Sequence, residues 1–277
     1  MGMRISTNVS AINAQRTMIT SQRSISKSME QLSSGSRINK AADDAAGLAI
    51  SENLKSQVRS LSQAGRNAND GISMVQTAEG GLSEISNILT RMRELGVQAS
   101  SDTVGDTERG FLDKEVQQLK AEAQRITQTT KFGTTRLLDG SGDKFDYQVG
   151  IGNDAEADRI SFNAGETDAT VSSLGISGFD FSSKGGAQEA LEMVDKAQSQ
   201  VNGYRANLGA LQNRLQSTVD NLGVQHENIS AANSRIRDTD IAAASAESTR
   251  NSVLLAANTS VLAQANSMPN AALKLIG

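Results

Sequence analysis

The chain reads as a mainly α protein: long helices forming an extended rod, with a small β-hairpin region in the middle. Three observations predict this. Apolar residues recur at alternating steps of three and four over most of the chain. The eight aromatic residues all fall between Phe111 and Tyr204, so both ends pack with aliphatic and small side chains. And the 277 residues contain one proline, one histidine, no cysteine and no tryptophan.

The longest seam starts at Leu54 and continues through Val58, Leu61, Gly65, Ala68, Ile72 and Val75, then resumes after a short step at Ala78, Leu82, Ile85, Leu89 and Met92. This is a heptad pattern with a stammer at 75–78. A helix over about 45–100 spans ~80 Å at ~1.5 Å per residue, too long for a small globule. A second seam runs Leu112, Val116, Leu119, Ala123, Ile126 and Thr130, and a third runs Leu208, Leu211, Leu215, Val219, Leu222 and Ile229. The N-terminal end carries a weaker one, Ile5, Val9 and Ile12, then Met18, Ile25, Met29 and Leu32; the C-terminal end carries Leu254, Ala257, Val261, Ala265, Met268, Ala272 and Leu275.

The breaks are equally legible. Ser33-Ser34-Gly35-Ser36 ends the first helix and Asp43-Asp44 caps the second. Residues 100–106 form a helix–helix turn. From Phe132 to about Gly186 the period drops to two: Phe145, Tyr147 and Val149 alternate with polar residues, residues 150–154 turn the chain, and Ile160 and Phe162 alternate again. Pro269 is expected to kink or restart the last helix.

Charge is zoned. Residues 1–42 carry six basic side chains against Glu30, a net +5, whereas residues 141–181 carry eight acidic against two basic, a net −6. The middle therefore reads as solvated and the ends as contact-forming. The overall charge of −4 argues against binding nucleic acid through its phosphates. The longest apolar run is five residues, Val253 to Ala257, against the ~20 a membrane span needs, so no membrane insertion is expected. The N-terminus has no apolar core of a cleaved secretory signal.

Catalytic readings do not hold together. His226 lies beside the third seam with Glu227 and Ser230 nearby, but no orienting carboxylate or oxyanion loop accompanies it. Gly150-Ile151-Gly152 precedes no helix and reads as a hairpin turn rather than a phosphate loop. Asp154, Glu156 and Asp158 lack the spacing of a calcium loop. Neither an enzyme nor a cofactor site is read. On pattern alone, the terminal seams fit two functions equally: an intramolecular coiled coil in a soluble monomer, or surfaces that dock on other copies.

Particular motifs carry a resemblance. Ser6-Thr7-Asn8, Leu32-Ser33-Ser34-Gly35-Ser36-Arg37-Ile38-Asn39, Ala41 to Ile50, Arg66-Asn67-Ala68-Asn69-Asp70-Gly71-Ile72-Ser73 and Gln76-Thr77-Ala78-Glu79-Gly80 resemble bacterial flagellin, as do Ser234 to Asp240 and Ser260 to Asn266 near the other end. The resemblance covers about 1–150 and 185–277. It implies that the N- and C-terminal halves pair as a long antiparallel coiled coil, divided into an inner domain (1–42 with 235–277), a helical rod domain (43–131 with 186–234) and a β-hairpin tip (132–185), with little or no variable outer domain.

The function so implied is self-assembly into the extracellular flagellar filament for swimming motility, after unfolded type III export without a cleaved signal. The alternative is the hook–filament junction protein of the same superfamily. The polymerisation contacts are expected at Ile5, Val9, Ile12, Ile25, Met29, Leu32, Leu254, Val261, Leu262, Met268 and Leu275. The partners implied are copies of the chain, the flagellar cap, the hook-associated junction proteins and an export chaperone at the C-terminal helix. Residues 90–98 are also similar to the segment that engages the vertebrate innate flagellin receptor, which assigns Arg91, Leu95 and Glu115 to that contact. Leu119 stands where receptor-active members carry a basic residue.

Overall fold

The helices begin and end at the glycine and aspartate signals. The computed structural model describes residues 7–273. Helix α1 (Val9–Ser34) is capped at its start by Asn8, whose side chain accepts from the Ala11 N–H at 3.1 Å. It stops at Gly35, which takes φ +69° and donates its N–H back to the Gln31 carbonyl. Only glycine reaches that left-handed conformation without strain. Helix α2 (Ala45–Ala99) opens on Asp44, whose carboxylate accepts from the Gly47 N–H at 2.9 Å. The turn predicted at 100–106 leads to α3 (Asp106–Thr129). Arg109 holds that turn: it is buried and donates to the carbonyls of Ala99 and Ser101.

Four short strands follow, β1 (Lys131–Phe132), β2 (Thr135–Arg136), β3 (Lys144–Gln148) and β4 (Arg159–Asn163). They pair as two antiparallel ribbons, β1 with β2 and β3 with β4, and Phe145 lies opposite Phe162. Helix α4 (Lys184–Arg237) returns along the chain, and α5 (Ile241–Leu273) follows. The backbone of α5 runs unbroken past Pro269, so the predicted restart does not occur. A proline removes only its own donor, and the remaining ladder carries the helix on.

The chain divides into two compact units. One is Met1–Val58 with Asn228–Gly277; the other is Arg59–Glu227. Both α2 and α4 contribute residues to each.

In the Arg59–Glu227 unit, α2, α3 and α4 form an antiparallel bundle. Arg93 meets Asp195 at 2.7 Å, Gln198 donates to Ser86 at 2.6 Å, and Arg91 meets Glu115 at 2.9 Å. The buried line on α2 is Leu61, Ala64, Ala68, Met74, Val75, Ala78, Leu82, Ile85, Leu89, Met92, Leu95 and Ala99, which includes most of the predicted seam. Leu208, Leu215 and Leu222 answer it from α4, and Val116 and Ala123 from α3. At Gly81 the segment that follows α3 packs too closely on α2 for a side chain: a Cβ there would sit 2.7 Å from Leu138 and from Thr130.

The aromatic middle is not only the solvated tip that its charge suggests. Leu137, Leu138, Val149, Ile160, Phe162, Leu174, Ile176, Phe179 and Phe181 are buried in the same core, while Asp143, Asp146, Asp154, Glu156, Glu166 and Asp180 stay exposed. In the β3–β4 ribbon alternation does this, because successive strand residues face opposite sides: Ile160 and Phe162 turn inward and Ser161 outward. Lys120 pins this segment. Its buried ammonium donates to the Phe179 carbonyl and lies 3.9 Å from the centroid of the Phe179 ring. Burial pushes the Lys120 pKa down, while Asp113 and Asp180 pull the other way.

Two outcomes are expected. Leu82→Ala, at a fully buried position, lowers the unfolding free energy by about 2–5 kcal/mol in a denaturant titration. The half-buried Tyr147 donates to the Met74 sulfur at 2.9 Å, and burial, with the Asp70 charge, raises its pKa from 10.0 to about 12. Its folded value is the raised one, so its stabilisation is complete below pH 10 and is lost as pH climbs toward 12. Tyr147→Phe removes that alkaline loss from the melting-temperature profile.

Candidate assembly surface

The terminal unit inverts the usual arrangement of a helix pair. Antiparallel α1 and α5 are tied by Asn8, which donates to the Ala265 carbonyl at 2.8 Å, and by Asn258, which donates to the Ser21 hydroxyl at 3.4 Å. The least exposed positions of α1 fall on Ala11, Ala14, Met18, Ser21, Ile25, Ser28 and Leu32. On α5 they fall on Ala244, Ser248, Asn251, Leu255, Asn258, Leu262 and Ala265. Both sets alternate steps of three and four, so each is a heptad seam. Its fully buried members are small: Ala14, Ser21 and Ser28 on α1, and Ala244 and Ala265 on α5.

Other large aliphatic residues stand outside that seam. Val9, Ile12, Met29, Leu254, Val261 and Met268 are exposed, from 45% at Leu254 to 58% at Met29. Ile19 and Val253 join them. On α5 the sequence stripe Leu254–Val261–Met268 is one residue out of register with the line that meets α1, Leu255–Asn258–Leu262. Helix α5 is therefore apolar on more than one side while only one side is covered. A helix that is apolar all round belongs in a buried setting.

A groove of about 400 Å³ opens between the two helices, lined by Met18, Ile19, Gln22 and Arg23 on α1 and Leu255 and Thr259 on α5. Fully burying one aliphatic side chain stabilises by about 1.5–3 kcal/mol, whereas an exposed ion pair is worth about 0–1 kcal/mol. Contact through these stripes is thus governed by burial.

Charge gathers instead where α1 hands over to α2. Lys27 meets Asp43 at 3.2 Å and Lys40 meets Glu30 at 2.8 Å. The N–H of Lys40, then the Lys27 ammonium and the N–H of Asn39, hold the Asp43 carboxyl below its usual range. The adjoining backbone forms an antiparallel bridge between Ser36 and Asp238: Arg37 donates its N–H to Arg237 at 2.6 Å, and Thr239 donates its own to Gly35 at 2.9 Å. Arg237 also pairs with Glu52.

The expected contact residues separate into three groups. Val9, Ile12, Met29, Leu254, Val261 and Met268 face outward. Ile25, Leu32 and Leu262 are half-buried in the unit's own seam, so their first role is to hold α1 against α5. Ile5 and Leu275 lie outside the described residues. Sequence reasoning missed the polar and small half of the seam, Ser21, Ser28, Asn251 and Asn258. Its signal was a seven-residue spacing of small and amide side chains.

The second expected site divides as well. Arg91 is exposed and held by Glu94 at 3.0 Å and Glu115 at 2.9 Å, and those carboxylates raise its pKa. Leu95 is only 1% exposed, which corrects the expectation of an aliphatic knob on that face. It continues the buried line of Leu89 and Met92 and serves the bundle core. His226 is half-buried on α4, and Gly150 closes the β3–β4 turn by donating to the Asp158 carbonyl.

Comparison with known proteins gives these surfaces a setting. Residues 5–143 match the profile described as the bacterial flagellin N-terminal helical region, and residues 191–276 match that of the bacterial flagellin C-terminal helical region. A flagellin of Halalkalibacterium halodurans is 44% identical over 274 residues, covering 99% of this chain and 100% of the relative. The chain belongs to the bacterial flagellin family. The flagellar filament core protein flaB2 of Brachyspira hyodysenteriae is 41% identical over 289 residues, covering 99% of this chain and 100% of that relative. The crystal structure of Bacillus cereus flagellin superposes with a TM-score of 0.51 at 32% identity, over 61% of this chain and 94% of the other. Flagellins are structural proteins rather than enzymes, and they self-assemble into the homopolymeric filament outside the cell.

Proposed function

We propose that this flagellin adds to the filament by laying the outward stripes of α1 and α5 against the same helices of neighbouring copies. The observation that carries the reading is α5, apolar on sides that its own chain leaves bare. Contacts between unlike patches of identical subunits need not close on a ring, and they then propagate as an open helix. The working division is an inner domain (1–42 with 235–277), a helical rod domain (43–131 with 186–234) and a β-hairpin tip (132–185). The chain travels unfolded through flagellar type III export, without a cleaved signal. A chaperone grips the C-terminal helix before export, and the cap and hook-associated junction proteins meet the same terminal helices at the ends of the filament.

Arg91 and Glu115 form the contact for the vertebrate innate receptor. Their exposure and their mutual ion pair across α2 and α3 support this reading, with Leu95 shaping the helix from within.

Seeded elongation followed by light scattering and electron microscopy tests the assembly surface. Ile12→Asp and Val261→Asp, both at exposed positions, leave helical circular dichroism unchanged and abolish elongation. Deleting residues 260–277 abolishes elongation too. Normal filaments from the Asp variants overturn the docking model. Arg91→Ala combined with Glu115→Ala weakens binding of the unpolymerised chain to the receptor ectodomain by at least tenfold; undiminished binding removes the receptor reading.

A further inference from the structure

The methionines of the two units are placed differently. In the Arg59–Glu227 unit, Met74 and Met92 are buried in the bundle core, at 1% and 0% exposure, and Met193 is partly exposed on α4. In the terminal unit, each described methionine borders the surface that copies would cover. Met268 continues the outward line of Leu254 and Val261 at seven-residue steps. Met29 lies one heptad beyond Gln22, which lines the apolar groove. Met18, half-buried, lines that groove itself.

We propose that Met29 and Met268 are oxidation sites through which peroxide blocks the addition of free chains to the filament. The inference rests on the assembly reading above. In the chemistry, hydrogen peroxide transfers one oxygen to the thioether. The sulfur lone pair attacks a peroxide oxygen, the O–O bond breaks, the sulfur is oxidised by two electrons to the sulfoxide, and the second oxygen leaves as water. Both thioethers are open to the reagent in the free chain. Once oxidised, an apolar, adaptable side chain becomes polar and chiral, with an S=O acceptor that must be desolvated when copies dock. Leu254 and Val261, which share the α5 line with Met268, carry no hydrogen-bond donor, so an S=O that docks against such a stripe exchanges water for carbon. Chains already in the filament have these sulfurs covered and are spared.

The test treats free chains with hydrogen peroxide, removes it with catalase, maps sulfoxides by peptide mass spectrometry and measures seeded elongation. Met29 and Met268 oxidise in free chains while Met74 and Met92 do not, and elongation falls at least tenfold. Met29→Leu combined with Met268→Leu keeps the volume of both side chains and, measured against its own untreated rate, retains most of its elongation after peroxide, although Met18 and Met193 are still present. Filaments formed before treatment show at least fivefold less sulfoxide at both positions. Unchanged elongation of oxidised parent chains overturns the proposal, as does equal inactivation of the double Leu variant. If untreated parent chains fail to extend seeds, it is the assembly reading that falls.

Discussion

The structure depends on one packing constraint: α1 and α5 approach each other through side chains too small to satisfy them. Ala14, Ser21, Ser28, Ala244 and Ala265 fill the buried line. A seam of this kind lets two backbones come close but removes little apolar surface from water. The Ser21–Asn258 and Asn8–Ala265 hydrogen bonds add direction to the pairing, as a single polar pair fixes register in other coiled coils. Val9, Ile12, Met29, Leu254, Val261 and Met268 are left on the outside, uncovered by the described residues. The helix pair is complete as a fold and leaves apolar side chains in water, which is the feature the proposed docking rests on.

The Arg59–Glu227 unit follows the opposite rule. Most of its large aliphatic and aromatic side chains point inward, with Phe111 and Val224 among the exceptions, and its ion pairs, such as Arg93–Asp195 and Arg125–Glu122, lie on the surface. Such pairs contribute little to stability, so the unit owes its order to the core around Leu82, Ile85 and Leu89. The segment between α3 and α4 is part of that core. Val171 donates its N–H to the Gln124 side chain and Phe181 donates its own to Asp113, so a chain with few strands is still held at several points.

Much of this was legible in the residues. The α2 seam, the glycine stop at Gly35, the Asp44 cap and the β3–β4 hairpin each follow from local chemistry that has one good solution. The α1–α5 register was not, for a physical reason. Both helices carry two heptad lines; the inner one mixes small and polar residues with Met18, Ile25, Leu32, Leu255 and Leu262, and hydrophobicity alone does not separate it from the outer aliphatics. The inner line is the mixed one, because the small side chains at Ala14, Ser21, Ala244 and Ala265 let the two backbones approach. Leu95 shows the reverse error: a motif places it at a contact surface, while its step from Leu89 and Met92 marks it as core. Lys120 was illegible altogether, since nothing local announces that a lysine in a polar helix will reach the Phe179 carbonyl.

The sequence of α5 has one more consequence. From Asn251 to Leu273 it carries no charged side chain at all. Joints built from this stretch have no α5 charge for dissolved ions to screen, although α1 brings Arg16, Arg23 and Lys27. Their strength comes from apolar hydration, which fades on cooling.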